Sequence, residues 1–212
     1  LEKPPGLLMH PSFSRNEGTL ANYLAGYYKR TGQRCAVHPV SRLDRDTFGV
    51  VLLAKNAYVH ELMRRQHAGG GMEKTYHALT CGIPDPPEGE IDAPIARVPG
   101  DSLLREIRPD GKPASSRYRV LEARASCAKL ELSPLTGRTH QLRLHCAYLG
   151  CPILGDPQYG TPGSLTLSAR YGIAGQQLCA VRLRFLHPMT KKTVEIRAAG
   201  DVSLDFLERT VV

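Results

Sequence analysis

Apolar residues of this 212-residue chain fall mostly into short, strand-like segments, and helical patterns stand between them at irregular intervals. A strand with one buried face is indicated where Cys179, Val181, Leu183 and Phe185 alternate with Ala180, Arg182 and Arg184. The strands do not alternate regularly with helices, as they would in a parallel-sheet protein. We therefore expect an α+β fold, in which one domain over residues 1–212 has a mixed, mainly antiparallel sheet flanked by helices.

Local signals predict where the individual elements begin and end. Thr19 and Asn56 are typical N-caps, and Gly32 and the run Gly69–Gly71 stand where helices end. We expect helices after Thr19, from Asn56 to Ala68, over 139–149 and over 204–209. We expect strands over 47–55, 72–81, 116–122, 128–132, 179–185 and 193–197. Residues 82–113 are expected to form loops with short strands.

The charge balance favours a polyanionic partner. There are 28 basic and 20 acidic residues, for a net charge of +8, although charge alone does not separate RNA from DNA, a nucleotide or an anionic membrane. The longest apolar runs, such as 50–54, are too short to cross a bilayer, and no secretory signal opens the chain. We expect a cytoplasmic protein that does not act at a membrane.

The cysteines and histidines give little support to a metal site. The six cysteines form no C-x-x-C pair and are expected to be reduced thiols, mostly in the core. One spacing, His140 to His145 and Cys146, resembles a ligand pair, but nothing else in the chain completes a zinc set. We expect no metal.

The segment from Ser41 to Thr47 is the first candidate for chemistry. Asp44 precedes an apolar strand and has Arg42 and Arg45 as neighbours. Burial at the edge of a core disfavours the charged carboxylate, whereas nearby arginines favour it, so Asp44 could serve as an ionised nucleophile or base. A loop aspartate in a surface ion pair explains the same pattern.

The segment from Ser133 to His145 is the second candidate. If Leu142 and Cys146 face the core, Arg143 lies on another face of the predicted helix together with His140 and Ala147. Arg138, Thr139 and the free N–H groups of the helix start would suit a phosphate, but a solvated basic helix start is an equal alternative. A third segment places Tyr76 near Lys74 in a strand, where a tyrosine is commonly structural.

Taken together, these segments resemble the RluA-type pseudouridine synthases. The resemblance covers nearly the whole chain and includes Lys3–Leu7, Arg42–Gly49, Lys74–Ala78, Leu135–His145, Leu149–Asp156 with Tyr159-Gly160, and Leu186–Met189. The aspartate segment and the Thr-Gly-Arg-Thr-His-Gln segment are specific in combination. The family usually has histidine in place of Ser41 and serine in place of Phe48, which affects expected RNA contacts more than chemistry.

The resemblance implies a role for each candidate residue. Asp44 would be the catalytic aspartate, and Arg143 would keep it ionised through a salt bridge. Tyr76 would stack on the target uracil and move a proton at C5. Arg42 would take the place of the flipped nucleotide in the RNA. Further RNA contacts are expected from Arg45, Lys74, Arg138, Thr139 and His140.

The resemblance also implies the partners. It predicts a monomeric enzyme that isomerises specific uridines in ribosomal or transfer RNA, without a cofactor or an obligatory protein partner. We further expect that an N-terminal strand has been trimmed and that no S4-type RNA-binding domain is present. Two alternatives are an inactive RNA-binding protein of the same fold and a hydrolase that uses Asp44 and Asp46 as a carboxylate pair.

Overall fold

The computed structural model describes residues 1–11, 16–101 and 103–208. Its strands are short, except for four of eight to ten residues. In chain order, the elements are β1 (Glu2–Lys3), α1 (Leu20–Arg30), β2 (His38–Pro39), β3 (Phe48–Val50), β4 (Leu53–Ala54), α2 (Ala57–Ala68), β5 (Met72–Cys81), β6 (Glu88–Asp92), β7 (Ile95–Arg97), β8 (Arg105–Ile107), β9 (Ser115–Arg124), β10 (Cys127–Pro134), α3 (Gln141–Tyr148), α4 (Pro162–Arg170), β11 (Leu178–Leu186), β12 (Thr193–Arg197) and a 3₁₀ turn, Asp205–Glu208.

The chain forms two compact units. Residues 1–74 and 180–200 make up the first unit, and residues 75–179 with the segment from 201 onward make up the second. The division passes through β5 and β11, so both units contain parts of the same strands. The expectation of one domain over 1–212 stays a prediction.

The first unit is built on β1, β3, β11 and β12. The strands β1 and β3 pair antiparallel, with Glu2 opposite Val50, and β11 pairs antiparallel with β12. Gly49 has a φ of +106°, and a Cβ there would collide with the backbone of Ala180, so this close approach requires glycine. A core of apolar side chains fills the unit: Val50, Met63, Met72, Leu183 and Phe185.

Local caps fix the two helices of this unit where the sequence predicts them. Thr19 forms a reciprocal capping box with Asn22 at the start of α1. Asn56 Oδ1 accepts the N–H of Val59 at 2.8 Å at the start of α2, and Gly69 follows its last residue. Both predicted helices are confirmed.

The second unit is an antiparallel sheet in the order β5, β10, β9, β6. Tyr76 on β5 lies opposite Leu132 on β10, and Leu132 in turn lies opposite Tyr118 on β9. A small two-stranded sheet, β7 and β8, packs with α3 through Ile95 and Leu144. Each pairing described in both units is antiparallel, and the predicted α+β fold with a mainly antiparallel sheet is confirmed.

Three local predictions were wrong in detail, and one helix was missed. The strand expected over 47–55 is split, because Ser41 Oγ accepts the N–H of Leu52 at 2.9 Å and the chain then turns so that β4 pairs with β2. The helix expected from 139 begins at Gln141. The terminal helix is a 3₁₀ turn, and Arg209 at its predicted end lies outside the described residues. The helix α4 was not predicted, although Thr161 followed by Pro162 is a helix-start signal.

Candidate active site

The loop that carries Asp44 is anchored by alternating buried residues. Ser41, Leu43 and Thr47 are buried, whereas Asp44 between them is partly exposed. Ser41, which stands where the family usually has histidine, accepts a backbone N–H from Leu52 and so ties the loop to the turn before β4. The carboxylate of Asp44 is therefore presented from a well-held backbone, as a catalytic group needs.

Lys3 holds the same loop from the other side. Its buried ammonium donates hydrogen bonds to three carbonyl oxygens, those of Pro4 and Leu7 at 2.8 Å and that of Arg45 at 2.7 Å. Burial lowers the pKa of Lys3 to about 8, an effect that the nearby carboxylates of Asp46 and Asp44 oppose. Sequence reasoning quoted Lys3 only as part of a motif and missed this role, because no local pattern reveals which carbonyls a lysine will reach.

Replacing Lys3 with methionine should change how stability depends on pH. The folded protein holds the Lys3 proton with a pKa of about 8, and an unfolded lysine has a pKa of about 10.4. Between these values the unfolded state binds more protons, so Lys3 makes the free energy of unfolding rise with pH. We expect Lys3→Met to lack this contribution in urea denaturation series from neutral to alkaline pH. Parallel curves for the two proteins would contradict the prediction.

Two further basic groups gather on the same unit. Arg42 is exposed and lies close enough to Lys74 to lower its pKa; burial is the larger cause, and the pKa falls to about 8. Burial and Arg42 also lower the pKa of His10. Lys74 Nζ lies within hydrogen-bonding distance of His67 Nε2, whose pKa is lowered by burial and by this lysine. Because a lowered pKa keeps the two histidines neutral near pH 7, Arg42 and Lys74 are the cations here that favour an anionic ligand.

Arg45 and Asp46 form an exposed ion pair. Arg45 Nε and Nη2 donate to the Asp46 carboxylate at 2.9–3.1 Å. A carboxylate engaged in this way is poorly suited to act as an acid or base beside Asp44, which weakens the hydrolase alternative. Exposed pairs of this kind contribute little to stability, and the RNA contact expected from Arg45 stays a prediction.

Arg143, on the second unit, does not lie on a solvated helix face. All residues from Gln141 to Cys146 are buried, so the alternative of a solvated basic helix start was wrong for Arg143. The helix is enclosed on most sides, which the spacing of Leu142 and Cys146 alone did not reveal. Arg143 Nε and Nη2 each donate to the Asp156 carboxylate at 2.7 Å, and Nη2 also donates to Gln158 Oε1 at 2.7 Å.

Asp156 and Tyr159 hold the guanidinium of Arg143 in a fixed orientation. Asp156 is 1% exposed and also accepts the backbone N–H groups of Gln158 and Tyr159 at 3.0 and 3.2 Å. The ring centroid of Tyr159 lies 4.8 Å from the guanidinium carbon, and its hydroxyl lies 2.7 Å from His140 Nδ1. Sequence reasoning quoted Asp156 only within the family resemblance and gave it no role. The pairing of Arg143 with Asp44 stays a prediction.

The predicted phosphate site before α3 is partly filled by the protein itself. The N–H of Arg138 donates to Gln141 Oε1 at 2.9 Å, and Arg138 Nε donates to the carbonyl of Pro113 at 2.9 Å. His140 has a left-handed backbone with a φ of 59° and turns its ring toward Tyr159. Arg138 and Thr139 are exposed and precede the helix, so their RNA contacts stay a prediction that no longer depends on a free helix start.

Tyr76 and two of the former metal candidates, His145 and Cys146, occupy buried positions. Tyr76 is 9% exposed within β5. His145 Nδ1 lies 3.0 Å from Ser116 Oγ, and its Nε2 lies 3.1 Å from the carbonyl oxygen of Ala93. The pKa of His145 is lowered, and burial is the largest cause. Burial raises the pKa of Cys146. Within residues 1–11, 16–101 and 103–208, no group of three or more histidine, cysteine, aspartate or glutamate side chains is arranged to hold a metal ion.

Comparison with known proteins identifies the family to which the chain is similar. A family model described as RNA pseudouridylate synthase matches residues 1–148. "Uncharacterized RNA pseudouridine synthase YjbO" of Bacillus subtilis is 36% identical over 198 residues, covering 93% of this chain and 68% of that protein. "Ribosomal large subunit pseudouridine synthase C" of Vibrio cholerae is 33% identical, and the match covers 97% of this chain and 64% of that protein. The structure of "Human RNA Pseudouridylate Synthase Domain Containing 4" has a TM-score of 0.71 at 26% identity, and the match covers 97% of this chain and 85% of that chain.

The chain belongs to the RNA pseudouridylate synthase family. It spans about two thirds of the length of the first of its curated relatives, 68% in one case and 64% in another. The matched residues 1–148 include the Asp44 loop, Tyr76 and Arg143, whereas Asp156 lies beyond them. None of the helices in the described ranges is long and apolar enough to span a bilayer.

Proposed function

We infer that this chain is the catalytic part of an RNA pseudouridine synthase, with Asp44 as its catalytic group. The observation that carries the proposal is the anchoring of the Asp44 loop, from one side by the buried ammonium of Lys3 and from the other by Ser41, in a member of this family. A carboxylate held in this way and left partly exposed can reach a bound nucleotide.

The reaction would convert uridine to pseudouridine without redox or group-transfer chemistry. The bond from uracil N1 to ribose C1′ breaks, the base turns, and C5 bonds to C1′. C5 then loses its proton and N1 gains one, so the product is an isomer of uridine. Asp44 would attack C1′, add at C6 or remove a ribose proton, and each of these routes needs an oxygen anion. The target base has to leave its stack, which calls for an extrusion device and an aromatic platform.

The other residues would divide these tasks. Arg42, exposed beside the Asp44 loop, would fill the place of the extruded nucleotide, and Tyr76 would stack on the uracil. Arg143 would keep Asp44 ionised. Phosphate contacts would come from Arg45, Lys74, Arg138, Thr139 and His140.

Ribosomal and transfer RNA are both candidate substrates. The names of several relatives, among them the Vibrio cholerae protein and "Ribosomal large subunit pseudouridine synthase D" of Nitrosomonas europaea, favour ribosomal RNA. The proposal includes action in the cytoplasm as a monomer. Profiling of pseudouridine in cellular RNA with and without the gene would name the target.

The activity can be tested directly with purified protein and cellular RNA. Pseudouridine is isomeric with uridine, so it is detected after derivatisation by mass spectrometry. We expect new pseudouridine in intact RNA chains. An inactive binding protein would leave the uridines unchanged, and a hydrolase would release base or break the chain.

Two substitutions of Tyr76 should separate stacking from proton transfer. Phenylalanine keeps the ring and removes only the hydroxyl, whereas alanine removes the stacking face, which contributes about 1–3 kcal/mol per base. We expect Tyr76→Ala to weaken productive binding and Tyr76→Phe mainly to slow a chemical step under single-turnover conditions. Equal effects of both on binding and rate would mean that Tyr76 is only structural.

A further inference from the structure

One face of α1 presents aromatic and basic side chains to solvent. Tyr23 and Tyr27 are 64% and 45% exposed, although tyrosine rings are usually largely covered, and Arg30 follows one turn later on the same face. The adjacent face, Leu20, Leu24 and Tyr28, is buried and holds the helix on the protein. Tyr27 contacts the buried Tyr28, with the two ring centroids 6.0 Å apart, but both Tyr23 and Tyr27 leave about half of their surface or more to solvent. We call Tyr23, Tyr27 and Arg30 the α1 face.

The surroundings of the α1 face carry uncompensated positive charge. No aspartate or glutamate stands between Glu17 and Asp44, a stretch that contains Lys29, Arg30 and Arg34. Among the described residues, none of these three cations forms an ion pair.

Other basic surfaces of the same unit differ from the α1 face in this respect. On α2, Arg64 and Arg65 both pair with Glu61, and on β11, Arg184 pairs with Glu73. The α1 face is therefore a place where a polyanion meets cations without first displacing a carboxylate.

The arrangement of the side chains suits nucleobases as well as phosphates. The guanidinium carbon of Arg30 lies 5.9 Å from the ring centroid of Tyr27, a cation–π contact that orders both groups. Aromatic rings and guanidinium planes are the surfaces on which unpaired bases stack, while bases within a duplex are already stacked on one another.

Backbone hydrogen bonds tie the α1 face to the Asp44 loop. The N–H groups of Leu20 and Ala21 donate to the carbonyls of Leu8 and Met9 at 2.8 and 3.1 Å. The segment that contains Leu8 and Met9 begins near Lys3, which donates to the carbonyl of Arg45 in the Asp44 loop. RNA bound on the α1 face would thus be held in a fixed relation to Asp44.

We propose that the α1 face binds an unpaired stretch of the substrate RNA that flanks the target uridine. The proposal rests on the proposed function as an RNA pseudouridine synthase and adds a binding surface to it. The strand would stack its bases on Tyr23 and Tyr27 and place its phosphates near Lys29, Arg30 and Arg34.

Fluorescence anisotropy with a short labelled oligouridylate, and with the same strand annealed to oligoadenylate, tests the proposal. We expect the double variant Tyr23→Ala/Tyr27→Ala to bind the single strand about tenfold or more weakly. Tyr23→Phe/Tyr27→Phe should retain the affinity. Tyr58→Ala is the matched control, because Tyr58 is an equally exposed tyrosine, 65%, on α2. The affinity of Tyr58→Ala for the single strand should stay within about twofold of that of the wild type.

The charge component is tested by the salt dependence of the same binding. Arg30→Gln should lower the slope of log K against log salt by about 0.7 for a single strand. Arg65→Gln removes an exposed charge that is already paired with Glu61, and should leave the slope unchanged. Thermal melting of each variant checks that the fold is retained.

Several outcomes would overturn the α1 proposal. The proposal would be overturned if the folded Tyr23→Ala/Tyr27→Ala variant bound the single strand with wild-type affinity. It would also be overturned if the variant lost as much affinity for the annealed duplex as for the single strand. Self-association of the wild type that only this variant abolishes, with RNA binding unchanged, would assign the face to a second copy of the chain. A wild type that binds the oligonucleotide but forms no pseudouridine in cellular RNA would refute the proposed activity alone. A wild type that binds no RNA would refute both proposals.

Discussion

Asp44→Asn should abolish pseudouridine formation while RNA binding largely survives. The amide has nearly the same shape as the carboxylate, but it cannot act as an anionic nucleophile or base, and each proposed route needs that anion. Single-turnover assays with substrate RNA measure the chemical step, and anisotropy measures binding. Near-normal rates in the variant would remove Asp44 from its proposed role.

The same loop offers a control for this substitution. Asp46→Asn removes a carboxylate two residues away, one that is partly exposed and paired with Arg45 rather than proposed for chemistry. We expect it to retain activity. Thermal melting of both variants is needed because Asp44 and Asp46 both favour the charged form of buried Lys3. Equal loss of activity in the two variants would point to a disturbed loop rather than to a catalytic Asp44.

Asp156→Ala should cause a large loss of stability. Arg143 is 5% exposed and Asp156 is 1% exposed, so removing the carboxylate would leave a buried guanidinium without the two short hydrogen bonds that now satisfy it. Breaking a buried ion pair from one side costs about 3–5 kcal/mol. Urea denaturation gives the free energy of unfolding. Asp156→Asn should lower the free energy of unfolding by less, because the amide oxygen can still accept a hydrogen bond from Arg143.

Glu61→Ala is the matched comparison for Asp156→Ala. Glu61 also pairs with arginines, Arg64 and Arg65, at 2.7 Å, but all three side chains are exposed. Water replaces the lost partner at an exposed site, so we expect a small change in the free energy of unfolding. Similar losses for Glu61→Ala and Asp156→Ala would mean that the buried pair is not the anchor of Arg143.

Elements with local signals were predicted from the sequence with nearly correct bounds. The caps Thr19 and Asn56 form hydrogen bonds with residues three positions away, and Gly70 after the end of α2 has a left-handed φ of +76°, which favours glycine. β5 coincides with the predicted strand 72–81, which contains Thr75, Tyr76 and Thr80 and is bounded by Gly71 and Gly82. The candidate residues Asp44, Tyr76 and Arg143 also came from the sequence, through a resemblance that the family comparison confirms.

Only the tertiary structure decided which groups the candidate residues contact and whether these residues are buried or exposed. A basic pattern in sequence predicts solvation, yet Lys3 is buried under three carbonyls and Arg143 is buried against Asp156. The split of the predicted strand 47–55 likewise depends on a hydroxyl, that of Ser41, eleven residues before its partner Leu52. Local order follows from neighbours along the chain, whereas the partners of a buried charge depend on which distant backbone or carboxylate groups the fold brings within reach. No periodicity in the sequence encodes that choice.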